Sequence, residues 1–212
     1  MATVELIYEL VDAVARVAPP EGVEWLTAQL VFDRATFPVA FASAHRRLGK
    51  SPIAASLSIP WSTTAGADEY GRAALVLAAI GSIPPEDHVA FIRDLIRRGE
   101  VRERQAVLRV LAGLPEPQRF VEIAVDACRT NVQSVFEAIA CDNAFPARHF
   151  DDPAFAQMVI KSLFVGAPLG RIIELQARTT AELVRMTDAY VSERRAAGRP
   201  IPDDVRLLRS TP

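Results

Sequence analysis

Arg72-Ala-Ala-Leu-Val-Leu-Ala-Ala-Ile-Gly81-Ser-Ile-Pro-Pro85-Glu-Asp-His-Val89-Ala-Phe91 and Arg104-Gln-Ala-Val-Leu-Arg-Val-Leu-Ala-Gly113-Leu-Pro-Glu-Pro117-Gln-Arg-Phe-Val121-Glu-Ile123 are two copies of one pattern. Gly81 meets Gly113, Pro85 meets Pro117 and Val89 meets Val121, a shift of 32 residues. Each copy reads as an apolar helix, a glycine stop, a short loop, a proline start and a second helix. A period of about 30–45 residues built from helix pairs marks a stacked α-repeat. The expected fold is therefore all-α: stacked helix pairs, HEAT-like, closed into one globular domain over residues 1–212. Within it, 1–68 holds N-terminal helices and an irregular loop, 69–198 holds the helical repeats and the C-terminal helices, and 199–212 is an extended tail.

Working outward from the repeat, the helix over about 69–80 is apolar almost all round, with Arg72 its only charge past Glu69. Such a helix must be covered on every side, so the N-terminal helices are expected to fold over it. Three helices are predicted there: 4–17, capped by Thr3; 22–33; and one starting at Pro38 and stopping at Gly49. His45-Arg46-Arg47 and Lys50 end the third as a basic cluster. Cations there complement the negative end of the helix dipole; the alternative is a site for an anionic ligand. Residues 50–68 show no period, and Trp61 is expected to anchor them to the core, with a lid as the alternative.

Downstream of the first copy, helices are predicted at 85–98, 101–112, 117–129, 131–141, 153–165 and 180–196. Thr130-Asn-Val-Gln133 and Thr179-Thr-Ala-Glu182 read as capping boxes, and Asp152 reads as the cap before Pro153. His88, in the first turn of its helix, is expected at the surface. No segment carries a period-two strand pattern.

Composition narrows the function. Half the residues are hydrophobic and 24 % are charged, with a net charge of −2, which suits a globular chain and argues against a nucleic-acid partner. The start lacks a secretory pattern and no apolar run reaches membrane-spanning length, so a cytoplasmic protein without a membrane span is expected. Cys128 and Cys141 read as buried free thiols. No phosphate loop, nucleophile elbow or zinc motif is present, and no cofactor is expected.

The densest polar constellation spans 129–161. Arg129, Asn131 and Glu137 lie on or near the 131–141 helix, Asn143, Arg148 and His149 in the loop after it, and Gln157 and Lys161 one turn apart on the next helix. Antiparallel packing would bring Glu137, Gln157 and Lys161 together near that loop. A carboxylate and an ammonium in a cleft can support acid–base chemistry; they can equally hold two helices together. His149 with Asp151 is a weak metal signal.

This region also carries a resemblance. Cys128-Arg-Thr-Asn131, Phe136-Glu-Ala-Ile-Ala140, Asn143-Ala-Phe-Pro146, Phe155-Ala-Gln-Met-Val-Ile-Lys161 and the stretch from Glu182-Leu-Val-Arg-Met186 to Arg199 resemble the EboA family, over roughly residues 110–205. Ala144 stands where that family's pattern has proline and Ala156 where it has asparagine. The resemblance implies a protein of the bacterial and eustigmatophyte ebo operon, encoded beside a prenyltransferase-like membrane protein, a sugar-phosphate-cyclase-like enzyme and TIM-barrel proteins. It implies an accessory, scaffold or ligand-binding role in small-molecule biosynthesis or export, a prenylated cyclitol being one fitting product. Partners would be other proteins of the operon or a pathway intermediate. The alternatives are an enzyme of that pathway using Glu137, His149 and Lys161 and, more distantly, a helical-repeat nucleic-acid binder.

Overall fold

The computed structural model describes residues 3–53, 59–61 and 65–209. Its elements are helical, and an isolated antiparallel bridge joins Pro52 and Gly66. The chain falls into two compact units, Met1–Phe120 and Val121–Pro212.

The first unit holds α1 (Thr3–Ala15), α2 (Pro20–Gln29), α3 (Phe37–Leu48), α4 (Ala67–Ile80), α5 (His88–Arg98) and α6 (Val101–Val110). All fourteen residues of α4 are buried, as the apolar run from Ala73 to Ile80 requires and despite Asp68, Glu69 and Arg72 in its first half. Helices α1, α3 and α6 pack around it. Gly71 makes the α3–α4 approach possible, because a Cβ there would lie 2.2 Å from Leu48 Cδ1. Trp61 is buried, its ring against Gly113, so it anchors the segment before α4 as the sequence suggests. The rest of the 50–68 segment, and with it the lid reading, falls partly on residues 54–58 and 62–64, outside the described residues.

The second unit holds α7 (Val121–Ala127), α8 (Gln133–Ala140), α9 (Ala144–His149), α10 (Asp152–Val165) and α11 (Ala181–Ala196). Helix α10 packs on α8 and α11. Cys128 and Cys141 are buried and unbridged, and burial pushes the Cys128 thiol up to about 12.

The 32-residue pattern holds at the level of secondary structure. Pro85 and Pro117 each open a 3-10 turn, Pro85–Asp87 and Pro117–Phe120, that runs into α5 or α7. The second copy is nevertheless divided, α6 belonging to the first unit and α7 to the second.

The stops at Gly81 and Gly99 do end α4 and α5, with negative φ, whereas Gly49, Gly166 and Gly198 have positive φ. Several local expectations are corrected. His88 is buried, not at the surface, with Nε2 3.2 Å from the Ile83 carbonyl. Neither capping box forms as spelled. Helix α8 starts at Gln133 after an uncapped Val132, while Thr130 Oγ1 accepts from Val132 N in a tight turn. Thr180 caps α11, and Thr179 instead bonds the Leu175 carbonyl. Asp151 caps α10 through Ala154 N; Asp152 pairs with Arg178. Each cap lies one residue from its predicted place, or is missing, because a side-chain cap depends on backbone angles that a motif does not record.

Two segments read as irregular are ordered. Residues 144–149 form α9, capped by Asn143. The tail folds back through a 3-10 helix at Asp203–Leu208 that buries Val205 and Leu208, and Asp204 accepts from Leu169 N at 2.8 Å.

Candidate anion-binding groove

Charge on the first unit starts from the buried head of α4. Asp68 is fully buried and accepts from Arg72 Nη1 and Arg102 Nε, each at 2.8 Å. Burial alone would raise its pKa, but the hydrogen bonds and charges of Arg102 and Arg72 outweigh that and hold the carboxyl below the usual aspartate value. Next to it Glu69 pairs with Arg109 and, at 3.3 Å, with Arg102. Burial dominates there, and the Glu69 carboxyl is raised. Arg72 also ties α4 to α3, its Nε donating to the Phe41 carbonyl at 2.9 Å.

Above this buried network opens a groove of about 880 Å³, bounded by the C-terminal ends of α3 and α5 and the start of α6. Helix α3 contributes Ala42, His45 and Arg46, with Lys50 just beyond; α5 contributes Arg98; α6 contributes Arg102 and Arg104. Arg72 and Arg102, fastened to Asp68, form part of its wall. Arg98 shares Asp94 with Arg97, and Arg104 Nε donates to the Gly99 carbonyl at 2.6 Å, fixing the α5–α6 turn. Glu100 and Glu103 supply the groove's own acids, and the Glu103 carboxylate is occupied by the Glu100 N–H. Arg46 and Lys50 are exposed and have no carboxylate partner among the described residues. Six cations thus line one groove, of which Arg72 and Arg102 are paired with Asp68 and Arg98 with Asp94.

The residues singled out in 129–161 lie in the second unit and are engaged separately. Lys161 Nζ donates to the carbonyls of Cys128 and Thr130 at 2.5 and 2.6 Å and stands over the Phe136 ring. Glu137 pairs with Arg171 at 3.4 Å and accepts from Gln133. Asn143 is buried, its amide donating to the Ala138 carbonyl and its oxygen accepting from Phe145 N. The His149 ring rests against Phe145, and burial followed by the charge of Arg148 lowers its pKa. Arg129 is exposed and pairs with Asp126; Asn131 and Arg148 are exposed. Gln157 lines a separate surface cavity of about 430 Å³ beside Pro153, Glu182 and Met186, which includes neither Glu137, His149 nor Lys161. Among the described residues no cluster of three or more His, Cys, Asp or Glu could hold a metal ion. No described helix is long and apolar enough to cross a membrane.

Of the groove, the sequence reading singled out His45, Arg46 and Lys50 but missed its other wall. The run Arg97-Arg98-Gly99-Glu100-Val101-Arg102-Glu103-Arg104 was a signal, since it places four arginines within eight residues. In the second unit it missed Arg178. That guanidinium donates to the Ala147 and Phe150 carbonyls and to Asp152, and covers the Phe155 ring. It closes the C-terminal end of α9, where a cation is favoured.

A family model described as "Metabolite traffic protein EboA" matches residues 14–208. No curated protein and no solved structure matches the chain.

Proposed function

We propose that the chain, which belongs to the EboA family, is a binding protein that holds an anionic metabolite in the groove between α3, α5 and α6 and catalyses no reaction on it. The observation that carries this reading is the pair Arg46 and Lys50, unneutralised on the rim of a groove that Arg98, Arg102 and Arg104 approach from the other side. Complementing the α3 dipole accounts for cations on α3. The same effect accounts equally for Arg98 in the last turn of α5, but not for Arg102 and Arg104, which reach the same groove from the first turn of α6.

Binding suits this arrangement better than turnover. Asp68 holds Arg72 and Arg102 in place, so that part of the wall is preformed and loses little freedom when the groove is occupied. An enzyme built on Glu137, His149 and Lys161 would need all three to act on one substrate, and each has its own separate contacts. The family's description as a metabolite traffic protein supports a carrier role. The sequence resemblance, not the geometry, supports other proteins of the same operon as the donor and acceptor of the cargo.

Calorimetric titration with inorganic pyrophosphate at low ionic strength tests the reading. The wild-type protein should bind, and Arg46→Ala with Lys50→Ala should weaken binding about tenfold, equivalent to about 1.4 kcal/mol. Added salt should weaken it further, because exposed charges are screened. Equal binding by wild type and double variant would overturn the assignment to this groove.

A further inference from the structure

Helices α3 and α5 also border a second cavity, which three phenylalanines line. Phe32, Phe37 and Phe91 line about 330 Å³ with Pro38, Ala90 and Leu95, and Arg34, Asp87 and Asp94 form its charged edge, Asp87 paired with Arg34 and Asp94 with Arg97 and Arg98. Phe37 and Phe91 lie 5.3 Å apart between ring centroids, and Phe32 stands edge-on to both, at 5.6 and 6.2 Å. The volume falls within the range of small-molecule pockets, about 300–1,000 Å³.

Register decides how this pocket relates to the basic groove. On α3, Pro38 lines the aromatic pocket, while Ala42 and Arg46 line the groove, each four residues further along. On α5, Phe91 and Leu95 line the pocket and Arg98, seven residues after Phe91, lines the groove. Residues four and seven apart share a helix face. Both sites therefore lie end to end on one α3–α5 seam, the aromatic end near the α3 N-terminus and the cationic end near its C-terminus. Eight residues from Pro38 to Arg46 span about 12 Å at about 1.5 Å per residue.

We infer that the groove's ligand is a small phosphorylated amphiphile, its flat apolar group between Phe32, Phe37 and Phe91 and its phosphate against Arg46, Lys50 and Arg98. This rests on the binding role proposed above and adds to it the chemical class of the cargo. An inorganic anion would leave the aromatic end of the seam unused. A neutral hydrocarbon would leave Arg46 and Lys50 without a counter-charge. One ligand joining the two parts satisfies both ends and gains from linking them, since the second contact becomes intramolecular.

The test titrates the intact protein with 2-naphthyl phosphate, inorganic phosphate and 2-naphthol, following naphthyl fluorescence and, for phosphate, competition. Two variants accompany it. Ala90→Trp fills the aromatic pocket from an exposed position, and Arg46→Glu reverses a charge at the other end; circular dichroism checks that both fold. Naphthyl phosphate should bind at least tenfold tighter than either half alone. Ala90→Trp should erase that advantage while leaving phosphate binding unchanged, and Arg46→Glu should weaken both anions but not naphthol. If naphthyl phosphate binds no tighter than phosphate, or keeps its advantage in Ala90→Trp, the amphiphile assignment is overturned while the anion-binding reading stands. If neither anion binds, both fall.

Discussion

Arg72 and Asp68 sit one turn apart on α4, Arg72 Nη1 donating to Asp68 Oδ2 at 2.8 Å, and both side chains are shut away from solvent. Removing one partner of such a pair strands the other charge, at a cost of about 3–5 kcal/mol. Asp68→Asn should therefore lower stability by about that amount, read as a reduced denaturation midpoint in urea. A change below about 1 kcal/mol would mean that the pair does not hold α4 in place.

The same residue predicts an acid limb. Its folded pKa lies below the ordinary value of 3.8, so its stabilisation is present above that value and is lost as pH falls through the folded one. Glu69 acts in the opposite sense. Its pKa is raised above 4.5 by burial, so its contribution declines as pH rises past 4.5 toward the folded value. Wild-type stability should fall more steeply than that of Asp68→Asn on acidification below about pH 4. Parallel pH profiles of urea midpoints for the two proteins check this.

Gly81 and Gly113 occupy the same column of the repeat yet should respond oppositely to alanine. At Gly81 the nearest atoms to an added Cβ are 3.5 and 3.6 Å away, and the backbone is right-handed helical. Gly81→Ala should stabilise by about 0.4–1 kcal/mol by restricting the unfolded chain. At Gly113 a Cβ would meet Leu6 Cδ2 at 2.8 Å and Trp61 Cζ3 at 2.9 Å, so Gly113→Ala should cost about 1–3 kcal/mol through overpacking. Thermal melts of the two variants decide it, and shifts of one sign would refute the assignment.

Lys161 should prove structural through the turn it holds. Lys161→Met keeps much of the side chain over Phe136 but removes the hydrogen bonds to Cys128 and Thr130. Hydrogen bonds to charged groups contribute about 1.5–3 kcal/mol. The variant should lose up to that amount, with faster amide hydrogen exchange around residues 128–132. Unchanged exchange there would count against the role.

His149 should titrate below the ordinary histidine value of 6.5, since burial and then Arg148 disfavour its cation. Its stabilising contribution is present above 6.5 and is lost as pH falls through the lower folded value. Ring-proton NMR should show the depressed midpoint, and Arg148→Ala should move it upward; a midpoint above 6.5 would contradict the burial.

Much of the helical framework was legible because its signals are local. The run from Arg72 to Ile80 has no polar face to give to water, so its burial followed from composition alone, and α4 is covered throughout. Pro85 and Pro117 announced helix starts because proline lacks only an N–H that a first turn leaves unused. Caps were less legible. Thr179 and Thr180 are the same residue type side by side, and only the path of the chain chooses Thr180.

The candidate groove was legible only in halves. The cluster from His45 to Lys50 was visible in sequence, but Arg98, Arg102 and Arg104 lie more than 45 residues further on. In the 129–161 constellation, helical spacing located Glu137 and Lys161 on their helices but could not tell which partners they would take. Arg171 and the Cys128 carbonyl reached them first.

Residue order thus determined which segments are helices and that α4 must lie inside, because periodicity and proline chemistry act over a few residues. Tertiary structure alone decided that Asp68, already one turn from Arg72, would also gather Arg102 beneath one groove and that an aromatic pocket would lie beside it. Charges and rings brought together across 30 to 60 residues interact through space, and their distances are set by how helices pack.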